Sequence, residues 1–98
     1  MYYVTFYRQP PESDPGLAAR LGDTYPRHRA FVDEFAKGGQ IWMIGTFDDP
    51  MRTGSMGVFR TREAAEDFIA HDPFVVEGLV YEHEIREWDP LTYPPSEA

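Results

Sequence analysis

Two kinds of hydrophobic spacing run along this chain. Tyr2-Tyr3-Val4-Thr5-Phe6-Tyr7 is aromatic and β-branched with no breaker, which predicts a strand. Tyr3 and Tyr7 fall on the row opposite Tyr2, Val4 and Phe6. Residues 8–16 hold Pro10, Pro11 and Pro15 among turn formers and read as a loop. Leu17 to Leu21 suits a short helical turn that Gly22 ends. The spacing then changes. His28, Phe31, Val32, Phe35 and Ala36 stand at i, i+3, i+4, i+7 and i+8, which predicts one helical stripe on a helix from Pro26 to Lys37. Thr24 or Tyr25 takes the N-cap position, and Pro26 sits in the first turn, where its missing N–H costs nothing. Lys37 suits the negative end of the helix dipole, and Gly38-Gly39 stops the helix.

The second half repeats the alternation of strand and helix. Gln40 to Phe47 is a strand apolar on both faces, with Ile41, Met43 and Phe47 to one side and Trp42 and Ile44 to the other. Residues 48–54 form a loop, and Ser55 to Arg60 a third strand. Thr61 caps a second helix whose apolar side carries Ala64, Ala65, Phe68 and Ile69, with Glu63 and Glu66 early in it. Asp72-Pro73 opens a short turn that Gly78 closes, and Leu79 to Trp88 is the last strand. Residues 89–98 hold three prolines and form a tail on the surface or against a partner chain.

The order β–α–β–β–α–β predicts an α+β fold, the ferredoxin-like split βαβ, with an antiparallel sheet and both helices on one face. Ninety-eight residues make a single domain, 1–98. Two helices cover one face only, whereas the first and second strands are apolar on both. The uncovered face would expose a large aromatic patch, so a second copy packed sheet to sheet is expected, making a homodimer.

Composition removes several functions. Seventeen acidic residues against nine basic give a net charge of −8, and both halves of the chain are acidic. Nucleic acids and anionic membranes call for a basic face, so neither is expected as a partner. No cysteine is present, which excludes disulfides, thiolate nucleophiles and cysteine-type metal sites. No HxH or HxxxH spacing occurs, so neither a metal nor a cofactor is expected. No run approaches a membrane span, and Met1-Tyr2-Tyr3-Val4 lacks the features of a signal peptide, so the expected location is the cytoplasm.

The remaining chemistry rests on histidines, carboxylates, hydroxyls and arginines. His28 lies on the inward stripe of its helix. It is either a core histidine bonded to a backbone carbonyl or a general acid–base, since imidazole titrates near neutral pH unaided. Asp72 before Pro73 is an N-cap. A capped carboxylate is also rigid enough to orient an imidazole, so the two roles are compatible. His71 ends the second helix on its polar side, and His83 alternates with Glu82 and Glu84. Arg27 and Arg29 flank His28, either as surface charges paired with Asp23, Asp33 or Glu34 or as a means of steering an anionic substrate. Gly45-Thr46 and Gly54-Ser55 bring backbone and hydroxyls to one sheet end, where Thr46 and Ser55 could hold a developing oxyanion.

Several local motifs recur in a fixed order. They are the aromatic start Met1-Tyr2-Tyr3-Val4, Arg27-His28-Arg29-Ala30-Phe31, Gly39-Gln40-Ile41 leading to Gly45, Gly54-Ser55-Met56-Gly57-Val58-Phe59, Glu63-Ala64-Ala65-Glu66-Asp67-Phe68, and Asp72-Pro73-Phe74-Val75 followed by Gly78-Leu79. In these the chain resembles the YciI-like (YCII-related) proteins, which are small dimeric α+β barrel proteins. The resemblance implies that a helix histidine and the aspartate of the Asp-Pro motif, here His28 and Asp72, form an active-site pair. It further implies a small-molecule substrate, aromatic, lactone-like or acidic, processed without cofactor by elimination, isomerisation or cyclisation. Thr46, Ser55 and Arg27 are then the candidate substrate-binding residues. The family often has Gly-Pro where this chain has Gly45-Thr46, which changes the backbone and adds a hydroxyl beside the pocket. Two other readings accompany the resemblance: a small-molecule-binding or accessory dimer without catalysis, and a monooxygenase of the same barrel type.

Overall fold

The computed structural model of the chain describes residues 1–9 and 15–94. Parts of the 8–16 loop and of the 89–98 tail lie outside the described residues. Four strands and four helices follow in the order β1 (Tyr2–Arg8), α1 (Leu17–Ala36), β2 (Ile41–Thr46), α2 (Pro50–Thr53), β3 (Ser55–Phe59), α3 (Arg62–His71), α4 (Pro73–Val76) and β4 (Glu82–Trp88). The strands form one sheet in the order β2-β3-β1-β4. Each neighbouring pair is antiparallel. This is the split βαβ arrangement, with β1 and β3 at the centre.

The core lies between the sheet and the helices. Tyr7, Val32, Phe59, Ala64, Ala65, Phe68 and Ile69 are its buried members. Phe68 of α3 is the hinge of the packing. It meets Phe31 at 5.1 Å, Phe35 edge-on at 5.4 Å and Phe59 at 5.1 Å. Such tilted and edge-on pairs are favoured by the ring quadrupole. Thr61 caps α3 by accepting a hydrogen bond from the Ala64 N–H at 3.1 Å.

Four local expectations change, one of them within the 48–54 loop, where Pro50–Thr53 form the one-turn helix α2. The first helix is continuous over 20 residues, so Gly22 does not end a turn and Thr24 does not cap a helix. Thr24 is buried inside α1, and Pro26 lies within it. Pro26 has no N–H to give the Gly22 carbonyl, a loss of one bond. The stripe Leu17, Leu21, Thr24, His28, Phe31, Phe35 continues across both residues at spacings of three and four. Tertiary burial along that stripe outweighs two unfavourable propensities. In β2, strict alternation fails at a bulge. Ile41 pairs with Phe59, but Met43 pairs with Val58. Trp42 is the extra residue, so Ile41 and Ile44 share the helix-covered side, and Met43 takes the opposite one. Finally, β4 begins at Glu82. The residues before it serve another purpose: the Leu79 N–H closes α4 on the Phe74 carbonyl at 2.8 Å, and Leu79 is buried.

The other face of the sheet carries Tyr2, Val4 and Phe6 of β1, Met56 and Val58 of β3, and Met43 of β2. Tyr2 stacks on Trp42 at 4.9 Å. Toward β4 this face turns polar, with Glu84 and Arg86 opposite Phe6 and Val4, and Arg8 ion-paired to Glu84.

Candidate functional site

The backbone at Asp72 cannot continue α3. Proline follows it, and the residue before proline is pushed out of the helical region. Asp72 accordingly has φ −61° and ψ 123°, ending α3 and opening α4. Its Oδ1 accepts the Phe74 N–H at 3.1 Å, the capping bond expected of aspartate at this position. The same turn directs the carboxylate and the Phe74 ring toward α1.

His28 meets both. Its Nδ1 lies 2.7 Å from Asp72 Oδ1. The imidazole stacks on Phe74 with centroids 4.0 Å apart and planes 10° from parallel. Asp72 is fully buried, and the His28 side chain is 15% exposed. The second carboxylate oxygen, Oδ2, accepts the Tyr7 hydroxyl at 2.7 Å. The carboxylate is thus held by three donors from three elements: a helix histidine, a strand tyrosine and its own turn. Burial, the neighbouring Asp72 charge and the bond to it all push the Tyr7 phenol far above its ordinary value. Tyr7 therefore stays a neutral donor. An ionised carboxylate only accepts, so an imidazole bonded to it through Nδ1 donates there, and in its neutral form keeps its lone pair on Nε2.

Tyr7 escaped the sequence reading as a site residue, although its row on β1 was legible. The available signal was chemical: a tyrosine on the helix-covered row of a central strand brings a hydroxyl that needs a partner once buried. Gly54 seats the backbone beside it. That residue has φ +80°, and a Cβ there would stand 1.9 Å from the Tyr7 carbonyl oxygen. Only glycine fits.

His28 and Tyr7 line a cavity of about 840 Å³ between α1 and the β2–β3 side of the sheet, with Thr5, Ile44 and Met51 also in its wall. The residues of β2 after Ile41 are exposed, and the cavity opens along them. Thr46 and Ser55, paired across β2 and β3, both line the cavity. The structure does not bring Arg27 there. Its guanidinium bonds Glu77 at 2.6 Å, tying α1 to the end of α4, and contacts Thr24 Oγ1 at 3.4 Å. Arg29 lines the cavity instead and pairs with Asp33 at 3.1 Å. Among the described residues no three His, Asp or Glu side chains converge as metal ligands, and no helix is long and apolar enough to cross a membrane.

No curated protein matches the chain. Among solved structures, the fold is shared with 5-chloro-2-hydroxyhydroquinone dehydrochlorinase from Burkholderia phenoliruptrix AC1100, solved in complex with 2,5-dihydroxybenzoquinone. The two superpose with a TM-score of 0.67 at 22% identity, over 91% of this chain and 94% of that one. The family model for the YCII-related domain matches residues 1–89, and the chain, with its split βαβ sheet, belongs to that family.

Proposed function

We propose that this protein is a small-molecule enzyme in which His28 and Asp72 perform acid–base chemistry on a hydroxylated aromatic or related acidic ring. The observation that carries the reading is the 2.7 Å contact between His28 Nδ1 and a fully buried Asp72, on the wall of a cavity large enough for one ring. His28 Nε2 takes a proton from a C–H or O–H of the substrate. The electron pair left behind expels a leaving group or shifts to a new double-bond position, giving elimination or isomerisation. The imidazolium formed is stabilised by the Asp72 carboxylate, itself held by Tyr7 and Phe74 N–H. His28 returns the proton to the product or to water. Thr46 and Ser55 supply hydroxyls for a developing oxyanion. Arg27 acts through its bridge to Glu77, keeping α1 against α4. A dehydrochlorination, the reaction for which the structural neighbour is named, is an elimination of this kind. The test is release of halide from halogenated hydroquinones by the purified protein, alongside His28→Ala and Asp72→Asn. Turnover by the wild type that both variants lose supports the reading. Ligand binding without turnover replaces it with a binding protein.

The same proposal includes a homodimer through the sheet face away from the helices, where Val4 and Val58 are buried and Tyr2, Phe6 and Met56 are half-buried. Exposed Trp42 and Met43 adjoin the apolar rows of β1 and β3, and the β4 edge offers both signs of charge in Glu84 and Arg86. A two-fold axis across such a face places apolar rows together and lets unlike charges meet. An interface of ordinary size, about 1,600 Å², is expected. Sedimentation should give a species near twice the 11.3 kDa of one chain. A monomer at micromolar concentration would remove the dimer from the proposal.

A further inference from the structure

The cavity wall holds another polar group that the acid–base pair does not use. Thr5 and Tyr7 of β1 line the wall, and Gln9 lines it two residues further on. Alternation along an extended backbone places positions 5, 7 and 9 on one row. The Tyr81 N–H bonds the Arg8 carbonyl at 3.1 Å, which anchors the chain just before Gln9. Tyr7 spends its hydroxyl on Asp72. Gln9 has no such commitment: its Oε1 is buried and without a hydrogen-bond partner among the described residues. A carbonyl oxygen shut away from water and unpaired is unfavourable, and native structures hold few of them. Gln9 is itself among the residues that line the cavity with His28.

Resting on the reading of this cavity as a site for hydroxylated rings, we infer that Gln9 is a recognition residue whose Oε1 accepts a hydrogen bond from an O–H of the bound molecule. The contact fixes the rotation of the ring relative to His28. An amide suits the task better than a carboxylate would. It accepts a hydrogen bond without opposing the negative charge that develops when His28 removes a proton, and it does not compete for that proton. A buried acceptor also discriminates: a ligand with O–CH₃ in place of O–H leaves the acceptor unpaired and is rejected.

The experiment is calorimetric titration of the intact protein with hydroquinone and with 1,4-dimethoxybenzene. The wild type should prefer hydroquinone. Gln9→Met, of similar size but without the acceptor, should lose about tenfold in hydroquinone affinity and change little toward 1,4-dimethoxybenzene. Gln9→Glu keeps an acceptor and should keep the preference. If methionine disturbs the fold, Gln9→Ala makes the same deletion. A Gln9→Met protein with wild-type affinity and preference overturns the assignment of Gln9 and leaves the His28–Asp72 pair untouched. A wild type that binds neither compound overturns both this assignment and the aromatic-ligand reading.

Discussion

His71 and Asp72 are neighbours in the chain, yet they belong to two histidine–aspartate pairs of opposite character. His71 Nδ1 lies 3.0 Å from Asp67 Oδ1 one turn earlier in α3, and both side chains are more than 60% exposed. His28 lies 2.7 Å from Asp72 across 44 residues, with the carboxylate fully buried. By distance alone the two pairs are nearly alike. Burial and the additional donors separate them. Water competes for Asp67 and His71 and screens their attraction, so such a pair is worth about 0–1 kcal/mol. The Asp72 carboxylate is cut off from water and takes its hydrogen bonds from His28, Tyr7 and the Phe74 N–H. The same two residue types make an exposed surface pair in one place and a buried, firmly bonded pair in the other.

The largest effect should come from breaking the buried pair. His28→Ala and Asp72→Asn should each lower turnover by about 10²–10⁴-fold. The double variant should be little worse than either single one, because the residues act as a unit. Asparagine caps about as well as aspartate, so Asp72→Asn should lose activity while its melting temperature stays near that of the wild type. An Asp72→Asn variant that keeps both its melting temperature and its activity would reduce Asp72 to a cap.

Tyr7→Phe should act next, and through stability. It leaves one oxygen of a buried carboxylate without its donor, which costs about 1–3 kcal/mol in denaturant unfolding. The pH sets a second check. Because the Tyr7 phenol is held above its ordinary value, the folded protein keeps that proton while the unfolded chain releases it near pH ~10. The stability that Tyr7 adds is present below that pH and falls away above it. The gap between wild type and Tyr7→Phe should therefore narrow in alkali. A constant gap would mean that the hydroxyl contributes by packing alone.

The smallest effect belongs to the exposed pair. His71→Gln and Asp67→Asn should each change unfolding free energy by less than about 0.5 kcal/mol and leave turnover unaltered. A large loss at either position would erase the distinction between the two pairs.

Element order was legible along the chain because each element carries its own local signal. The helical stripe through Phe31, Val32 and Phe35 identified the core side of α1, and the Asp72-Pro73 dipeptide identified a cap. His28 on that stripe and Asp72 at that cap were both visible as candidates. Their contact followed only as a possibility of the split βαβ topology. Two errors in reading arose where local rules were applied too locally. Gly22 and Pro26 are weak points for a helix, but Leu17, Thr24 and Val32 are buried on either side of them and hold the helix together. The bulge at Trp42 has no breaker residue to announce it; it arises from pairing with β3, a partner that alternation along β2 does not contain.

Strand and helix periods, the caps at Thr61 and Asp72, the acidic charge and the lack of thiol chemistry were determined by the sequence alone, since each depends on residues close together in the chain or on simple composition. The tertiary structure decided which histidine is largely withdrawn from solvent, that Tyr7 completes the carboxylate's bonds, that Arg27 faces Glu77 and not the cavity, and that Gln9 Oε1 has no partner among the described residues. These outcomes turn on where α1 docks against α4 and on the exclusion of water from Asp72. Both are set by packing among residues tens of positions apart, where many weak contacts sum to one geometry that no short stretch encodes.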